Sequence, residues 1–227
     1  MLDKVMVIVA HPDDEVLGCG GTIALQSKEY NIRIAILGEG LASRNQKSRK
    51  SIKTNIDRLR HDTMEAAKFL GVKSIIFGGL PDNSFDQIPL LKVVKQVENL
   101  IAKYQPQIIY THHPGDLNID HVITFRAVLT ATRPVSGYPV KDIYACEIPS
   151  STDWAFNQLQ QPFRPNVFVD ITTTIEQKIQ ALKKYQTEVR PFPHPRSTEA
   201  LRANAQRWGS IIGVQYAEAF ELIRSVR

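Results

Sequence analysis

Short runs of β-branched and other apolar residues recur along the chain: KVMVIVA (4–10), IRIAILG (32–38), VKSIIFG (72–78) and PQIIYTH (106–112). Between them apolar residues return every three or four positions, in EVLGCGGTIALQSKE (15–29), SIKTNIDRLRHDTMEAAKFLG (51–71) and IPLLKVVKQVENLIAKYQ (88–105). Unbroken apolar runs of this length mark strands covered on both faces, and the longer spacing marks helices with one buried stripe. Gly71 and Pro106 supply stop signals for the second and third helices. Further on, DHVITFRAVLTATR (120–133) reads as a helix, KDIYACEIP (141–149) and PNVFVDI (165–171) as strands, and TTTIEQKIQALKKYQTEV (172–189) as a helix. The proline-dense EVRPFPHPRS (188–197) reads as a surface loop before the final helices. Strand–helix alternation predicts an α/β fold, a Rossmann-like, doubly wound and mostly parallel sheet flanked by helices. No repeat or linker divides the chain, so one domain is expected over residues 1–227.

Composition adds exclusions rather than an activity. The 227 residues are 43% hydrophobic and 22% charged, ordinary for a chain with a real core. No apolar run approaches the roughly 20 residues that cross a bilayer, and no secretory leader is visible. Two cysteines, Cys19 and Cys146, offer neither a disulfide framework nor a CxxC zinc pattern, so a cytoplasmic, reduced protein is expected. The net charge of +5 is uneven, because Arg44–Arg60 carries seven Lys or Arg against one Asp. That stretch reads either as a solvated face or as an anion site, and its lack of aromatic residues argues against nucleic acid.

In open parallel sheets ligands sit beyond the carboxyl ends of the strands. Here those ends discharge into polar residues. HPDDE (11–15) follows the first strand, EGLASR (39–44) the second, GLPDNSFD (79–86) the third and HHPGDLNIDH (112–121) the fourth. Read blandly, the first is a capped helix start, with Asp13 or Asp14 as the cap and His11 hydrogen-bonded. Gly18, Gly20 and Gly21 have the wrong spacing for a dinucleotide loop. Histidines and aspartates from two strand ends converge, however, and two imidazoles with one carboxylate make a normal catalytic zinc set.

AHPDDEVLGCGGTIA resembles the first signature of the PIG-L/LmbE-like zinc-dependent N-deacetylases, and HHPGDLNIDH is similar to their second motif. LGEGLASR, LPDNSFD, EIPSSTDW, FPHPRS and YAEAF extend the resemblance over essentially the whole chain. The resemblance implies Zn2+ (Fe2+ as the alternative divalent metal) held by His11, Asp14 and His121, with Asp13 as general base. Relatives often carry a histidine where this chain has Asn118, so His112 or His113 is expected to stabilise the oxyanion. Glu39, Arg44, Asp82, Asn118, His194 and Arg196 are the expected substrate contacts. The implied partner is a small amino-sugar substrate, phosphorylated or nucleotide-linked if Arg44 binds an anion, and the chain is compatible with a homo-oligomer. Two other readings stand beside this one. A 2-His-1-carboxylate iron oxygenase has a similar ligand set but usually a β-helical fold. A nonenzymatic sugar-nucleotide binder would leave Asp13 and the His–Asp cluster without a role.

Overall fold

The strands assemble in the order β3-β2-β1-β4-β5-β7-β6. The computed structural model describes residues 4–40, 49–72, 74–135, 137–159 and 161–227. Strands β1 (Lys4–Val9), β2 (Asn31–Gly38), β3 (Ser74–Leu80), β4 (Ile108–His112) and β5 (Asp142–Cys146) all run parallel. Strand β7 (Ala217–Arg224) runs antiparallel to β5 and to β6 (Val167–Asp170). The order reverses between β1 and β4, which creates a crevice at their carboxyl ends.

Strand alternation explains why the sheet is covered twice. Val5, Val7 and Val9 point into one core, together with Ile32, Ile34 and Ile36 of β2. Met6, Ile8 and Ala10 point into the other, with Ala35 and Leu37. The first core is closed by α1 (Asp14–Gln26), α2 (Arg49–Phe69), α5 (Ile175–Leu182) and α6 (Thr198–Ile212). The second is closed by α3 (Leu90–Tyr104) and α4 (Ile119–Ala131).

Two expectations need correction. The chain does not end in helices, since Ala217–Arg224 forms β7. Its Ala, Glu and Leu residues favour helix, but the slot between β5 and β6 offers two ladders of backbone partners, and pairing overrides propensity. The fifth helix is shorter than 172–189, covering only Ile175–Leu182. Helix α1 is kinked at Cys19 (φ −145°, ψ 24°). Backbone groups freed at the kink find side-chain partners: Lys178 Nζ donates to Leu17 O at 2.9 Å, and the Glu218 carboxylate accepts from Gly21 N and Thr22 N at 2.9 and 2.7 Å. Lys178 and Glu218 also pair with each other at 2.5 Å, so neither buried charge is alone.

The glycine cluster in α1 serves close packing. A Cβ on Gly18 would lie 2.6 Å from Cys146 Sγ, and one on Gly21 would lie 2.8 Å from Ile171 Cδ1.

Candidate metal and catalytic site

The side chains at the β1–β4 crevice are brought in by four strand exits. His11, Asp13 and Asp14 follow β1, Asp82 follows β3, His112 and Asp116 close β4, and Ser151 and Thr152 follow β5. His121 arrives on the first turn of α4, whose start is fixed by Asn118, the side chain of which accepts the Asp120 N–H at 2.9 Å.

His11, Asp14 and His121 place one ligand-type atom each within 4.8 Å of one another, all buried. Asp14 Oδ2 lies 3.5 Å from His11 Nδ1 and 3.2 Å from His121 Nε2. Each ring is held from behind by a carboxylate. Asp120 Oδ2 is 2.9 Å from His11 Nε2, and Asp116 Oδ2 is 3.1 Å from His121 Nδ1. Asp120 is fixed by the Phe85 N–H at 2.9 Å, and Asp116 by Thr152 Oγ1 at 2.8 Å and by Ser151 Oγ. A metal-binding histidine commonly donates its second nitrogen to such a carboxylate, which fixes the tautomer and aims the other nitrogen. The aimed nitrogens here are Nδ1 of His11 and Nε2 of His121.

The electrostatics favour positive charge at that point. Burial alone would lower both histidines, but Asp120 and Asp14 lift His11 to about 9, and Asp14 and Asp116 lift His121 to about 10. Burial would raise Asp14, yet the charge on His121 and the hydrogen bonds from His11 and His121 hold it well below the usual carboxylate range. Asp14 Oδ1 and His121 Nε2 are buried atoms without a hydrogen-bond partner. Two orphaned donor atoms, a three-member N,N,O set and carboxylate support behind both rings fit a divalent cation. Asp82 and Asp120 form a second group with His11, with Asp82 Oδ1 3.3 Å from His11 Nε2.

Asp13 stands apart from the set. It occupies the N-cap position of α1 with φ 96°, and its side chain makes no capping hydrogen bond. Its Oδ2 instead accepts from Arg196 Nη1 at 2.9 Å. Burial pushes Asp13 well above its ordinary value, against the pull of Arg196. The bland cap reading of Asp13 thus fails, because the left-handed backbone turns its carboxylate away from the helix. A cavity of about 90 Å³ lies over this centre, lined by His11, Pro12, Asp13, Gly40, Asp82, Asn83, Asn118, Glu188 and Arg196.

The other expected residues divide. Asp82, Asn118 and Arg196 line the cavity. Asn118 Nδ2 donates to Asn83 Oδ1 at 3.2 Å. Glu39 turns to Arg60 of α2 at 3.6 Å. His194 packs against Trp154, and its Nδ1 accepts the Arg196 N–H at 3.0 Å. Arg44 lies outside the described residues. Neither histidine expected at the oxyanion lines the cavity. His112 stacks on His121 at 3.9 Å, accepts the Ala10 N–H through Nε2 and is driven by burial to about 3, hence neutral. His113 lies 3.2 Å from Glu221 and edge-on to Phe163. Sequence reasoning placed Asp116 and Asp120 in the cluster without a role, and it missed Glu188, which lies 3.8 Å from Arg196, and the supports Ser151 and Thr152. The DH pair of HHPGDLNIDH and the SST of EIPSSTDW were the available signals for the supports. Glu188, on a proline-rich loop, had none.

This fold, with this cluster at its crevice, defines an enzyme of the PIG-L class. The model of the PIG-L family, described as GlcNAc-PI de-N-acetylase, matches residues 6–132, more than half of the chain, and the chain belongs to that family of deacetylases. It is similar to diacetylchitobiose deacetylase of Thermococcus kodakarensis, 26% identical over 233 residues, covering 98% of this chain and 84% of that protein. It is also similar to a probable N-acetyl-alpha-D-glucosaminyl L-malate deacetylase 2 of Bacillus cereus, 24% identical and covering 81% and 83%. Among solved structures, N,N'-diacetylchitobiose deacetylase from Pyrococcus horikoshii superposes with a TM-score of 0.79 at 24% identity, covering 98% and 84%. GalB, the 4-carboxy-2-hydroxymuconate hydratase of Pseudomonas putida KT2440, superposes with a TM-score of 0.77 at 22% identity, covering 99% and 98%. A hydratase on the same fold makes the side chains, rather than the fold, the basis for assigning chemistry. Among the described residues no helix is long and apolar enough to cross a membrane.

Proposed function

We propose that this chain, working as a single domain over residues 1–227, is a metal-dependent hydrolase that removes the N-acetyl group from an N-acetylated amino sugar or a conjugate of one. The observation that carries the reading is the separation of two adjacent acids. Asp14 faces both supported histidines, while Asp13 is turned into the cavity and held off that set. The names of the relatives, deacetylases of diacetylchitobiose and of a glucosaminyl malate, support the amino-sugar substrate.

His11, Asp14 and His121 hold the metal in this reading, zinc first and Fe2+ as the alternative. Once bound, such an ion supplies Lewis-acid polarisation of an amide carbonyl and a more acidic water. Asp13 takes the proton of the attacking water as the carbon–oxygen bond forms. It returns that proton to the amide nitrogen as the carbon–nitrogen bond breaks, so that acetate and a free amine leave. A carboxyl raised by burial is the stronger base for the first transfer and is still acidic enough for the second. Asn118 and Arg196 are side-chain donors lining the cavity, and the oxyanion role goes to them in place of His112 or His113. Asp82, Asn83 and Glu188 supply acceptors for sugar hydroxyls. An anionic conjugate is the preferred substrate, with Arg44 as its partner.

The test is acetate release from free, lipid-linked, nucleotide-linked and thiol-linked N-acetylglucosamine, before and after chelation and metal restoration. Chelator-sensitive acetate release is the expected result. Release that survives complete metal removal, or no release from any conjugate, would overturn the reading. Arg44→Ala should raise KM for the charged conjugates alone.

A further inference from the structure

We propose that Glu15 and Tyr185 form a positioning pair that keeps the Asp13 carboxylate out of the helix and in the cavity. This rests on the reading of Asp13 as the general base. An aspartate at the N-cap normally uses its carboxylate on the amides of the first helical turn. In α1 that does not happen. The Asp13 N–H is instead donated to Glu15 Oε2 at 3.1 Å, so the carboxylate two residues on secures the backbone at the cap. The other oxygen, Oε1, accepts from the Tyr185 hydroxyl, which comes from the turn after α5, 170 residues away. Glu15 and Tyr185 are both fully buried.

The Glu15 carboxylate is held at both oxygens. Its two oxygens serve the Asp13 amide and the Tyr185 hydroxyl, and it is absent from both cation-type groups at the crevice. What it opposes is a specific alternative. A non-glycine residue at φ 96° is in a sparsely populated region and persists only when its surroundings dictate it. Released from Glu15, Asp13 would relax to the extended backbone of an ordinary cap and spend its carboxylate on the amides of the first turn. Tyr185 reaches Glu15 from the core, so the pair ties the geometry of the base to α5 and not only to the neighbouring metal ligands.

Three variants of the metal-loaded enzyme test this: Tyr185→Phe, Glu15→Gln and Glu15→Ala, with Val72→Ala as a core truncation at the opposite end of the sheet. Tyr185→Phe should lower kcat by about 10- to 100-fold, the range for a reacting group displaced by a fraction of an ångström to one ångström. KM and zinc stoichiometry should stay at the wild-type level. Glu15→Gln, which keeps an acceptor for the Asp13 N–H, should retain more activity than Glu15→Ala. NMR hydrogen exchange of the Asp13 amide in the zinc-loaded protein gives a readout without substrate, and that amide should exchange at least about 10-fold faster in Tyr185→Phe than global stability accounts for. Loss of kcat merely in proportion to lost melting temperature, as in Val72→Ala, would overturn the proposal. So would an Asp13 amide as protected as in wild type, or equal activity of the Gln and Ala variants. If the wild-type enzyme releases acetate from no conjugate, the deacetylase reading fails, and amide exchange still decides the positioning of Asp13.

Discussion

Arg196 Nη1 lies 2.9 Å from Asp13 Oδ2, and the same guanidinium donates through Nε to Ser150 Oγ at 2.9 Å. The cation is therefore aimed rather than free to wander, and it sets the proton affinity of the proposed base. Burial pushes Asp13 up and Arg196 pulls it back down. Arg196→Ala removes the opposing cation, so Asp13 should hold its proton to higher pH. The acid limb of the kcat profile should move to higher pH, with a fall in kcat at pH 6 larger than at pH 8. An acid limb in the same place would show that Arg196 does not tune this carboxyl.

Asp13→Asn preserves shape and the hydrogen bond to Arg196 but cannot accept a proton. A loss in kcat of about 10²–10⁴-fold is expected, the ordinary range for general acid–base catalysis. Metal content measured by atomic emission should not change. Wild-type turnover at saturating substrate would remove Asp13 from the role of base.

Asp116 offers a way to probe the metal site without touching a proposed ligand. It is 3.1 Å from His121 Nδ1 and takes hydrogen bonds from Ser151 and Thr152. Asp116→Ala should weaken zinc affinity by about 10- to 100-fold, the usual effect of removing such a supporting carboxylate. His121→Ala should lose most of the metal outright. Competition with a chromophoric chelator measures both, and an unchanged affinity in either would redraw the site.

The double-wound parallel half of the fold was legible because β1 alternates cleanly, Val5, Val7 and Val9 to one core and Met6, Ile8 and Ala10 to the other. The HPDD and DH signatures likewise carried the cluster, since residues at two strand exits must meet at a topological switch. The kink at Cys19 was not legible. It depends on Lys178 and Glu218, which are distant in sequence and carry no local pattern. Strand β7 was hidden for a related reason: its residues suit a helix, and only the partners on either side make it a strand. The expected roles of His112 and His113 illustrate a third limit. Adjacent residues leaving a strand point to opposite sides, and sequence alone does not reveal that one meets His121 and the other Glu221.

Glu147 provides a stability test away from the catalytic centre. Its Oε1 accepts from Asn204 at 2.7 Å and from Trp208 at 2.6 Å, and burial nevertheless holds its carboxyl above the ordinary value. A raised acid in the folded state contributes stability that is fullest below its unfolded value and is lost as pH rises through the folded one. Glu147→Gln keeps an acceptor for both donors and has no charge to bury. Its melting temperature should exceed wild type at pH 8, with the gap shrinking toward pH 4. A gap that is constant or opposite in trend would show that the carboxylate is better accommodated than its burial implies.

Strand β7 has a consequence for how the chain is made. In the described sheet β6 pairs with β7 alone, and β7 also brings Glu218 to the freed amides of α1. Residues 217–224 are synthesised after every other strand of the described sheet, so until then β6 lacks the strand it pairs with and the kinked helix beside HPDD lacks its clasp. The HPDD segment thus waits on a strand far downstream of it, and its site can mature only after β7 has been synthesised.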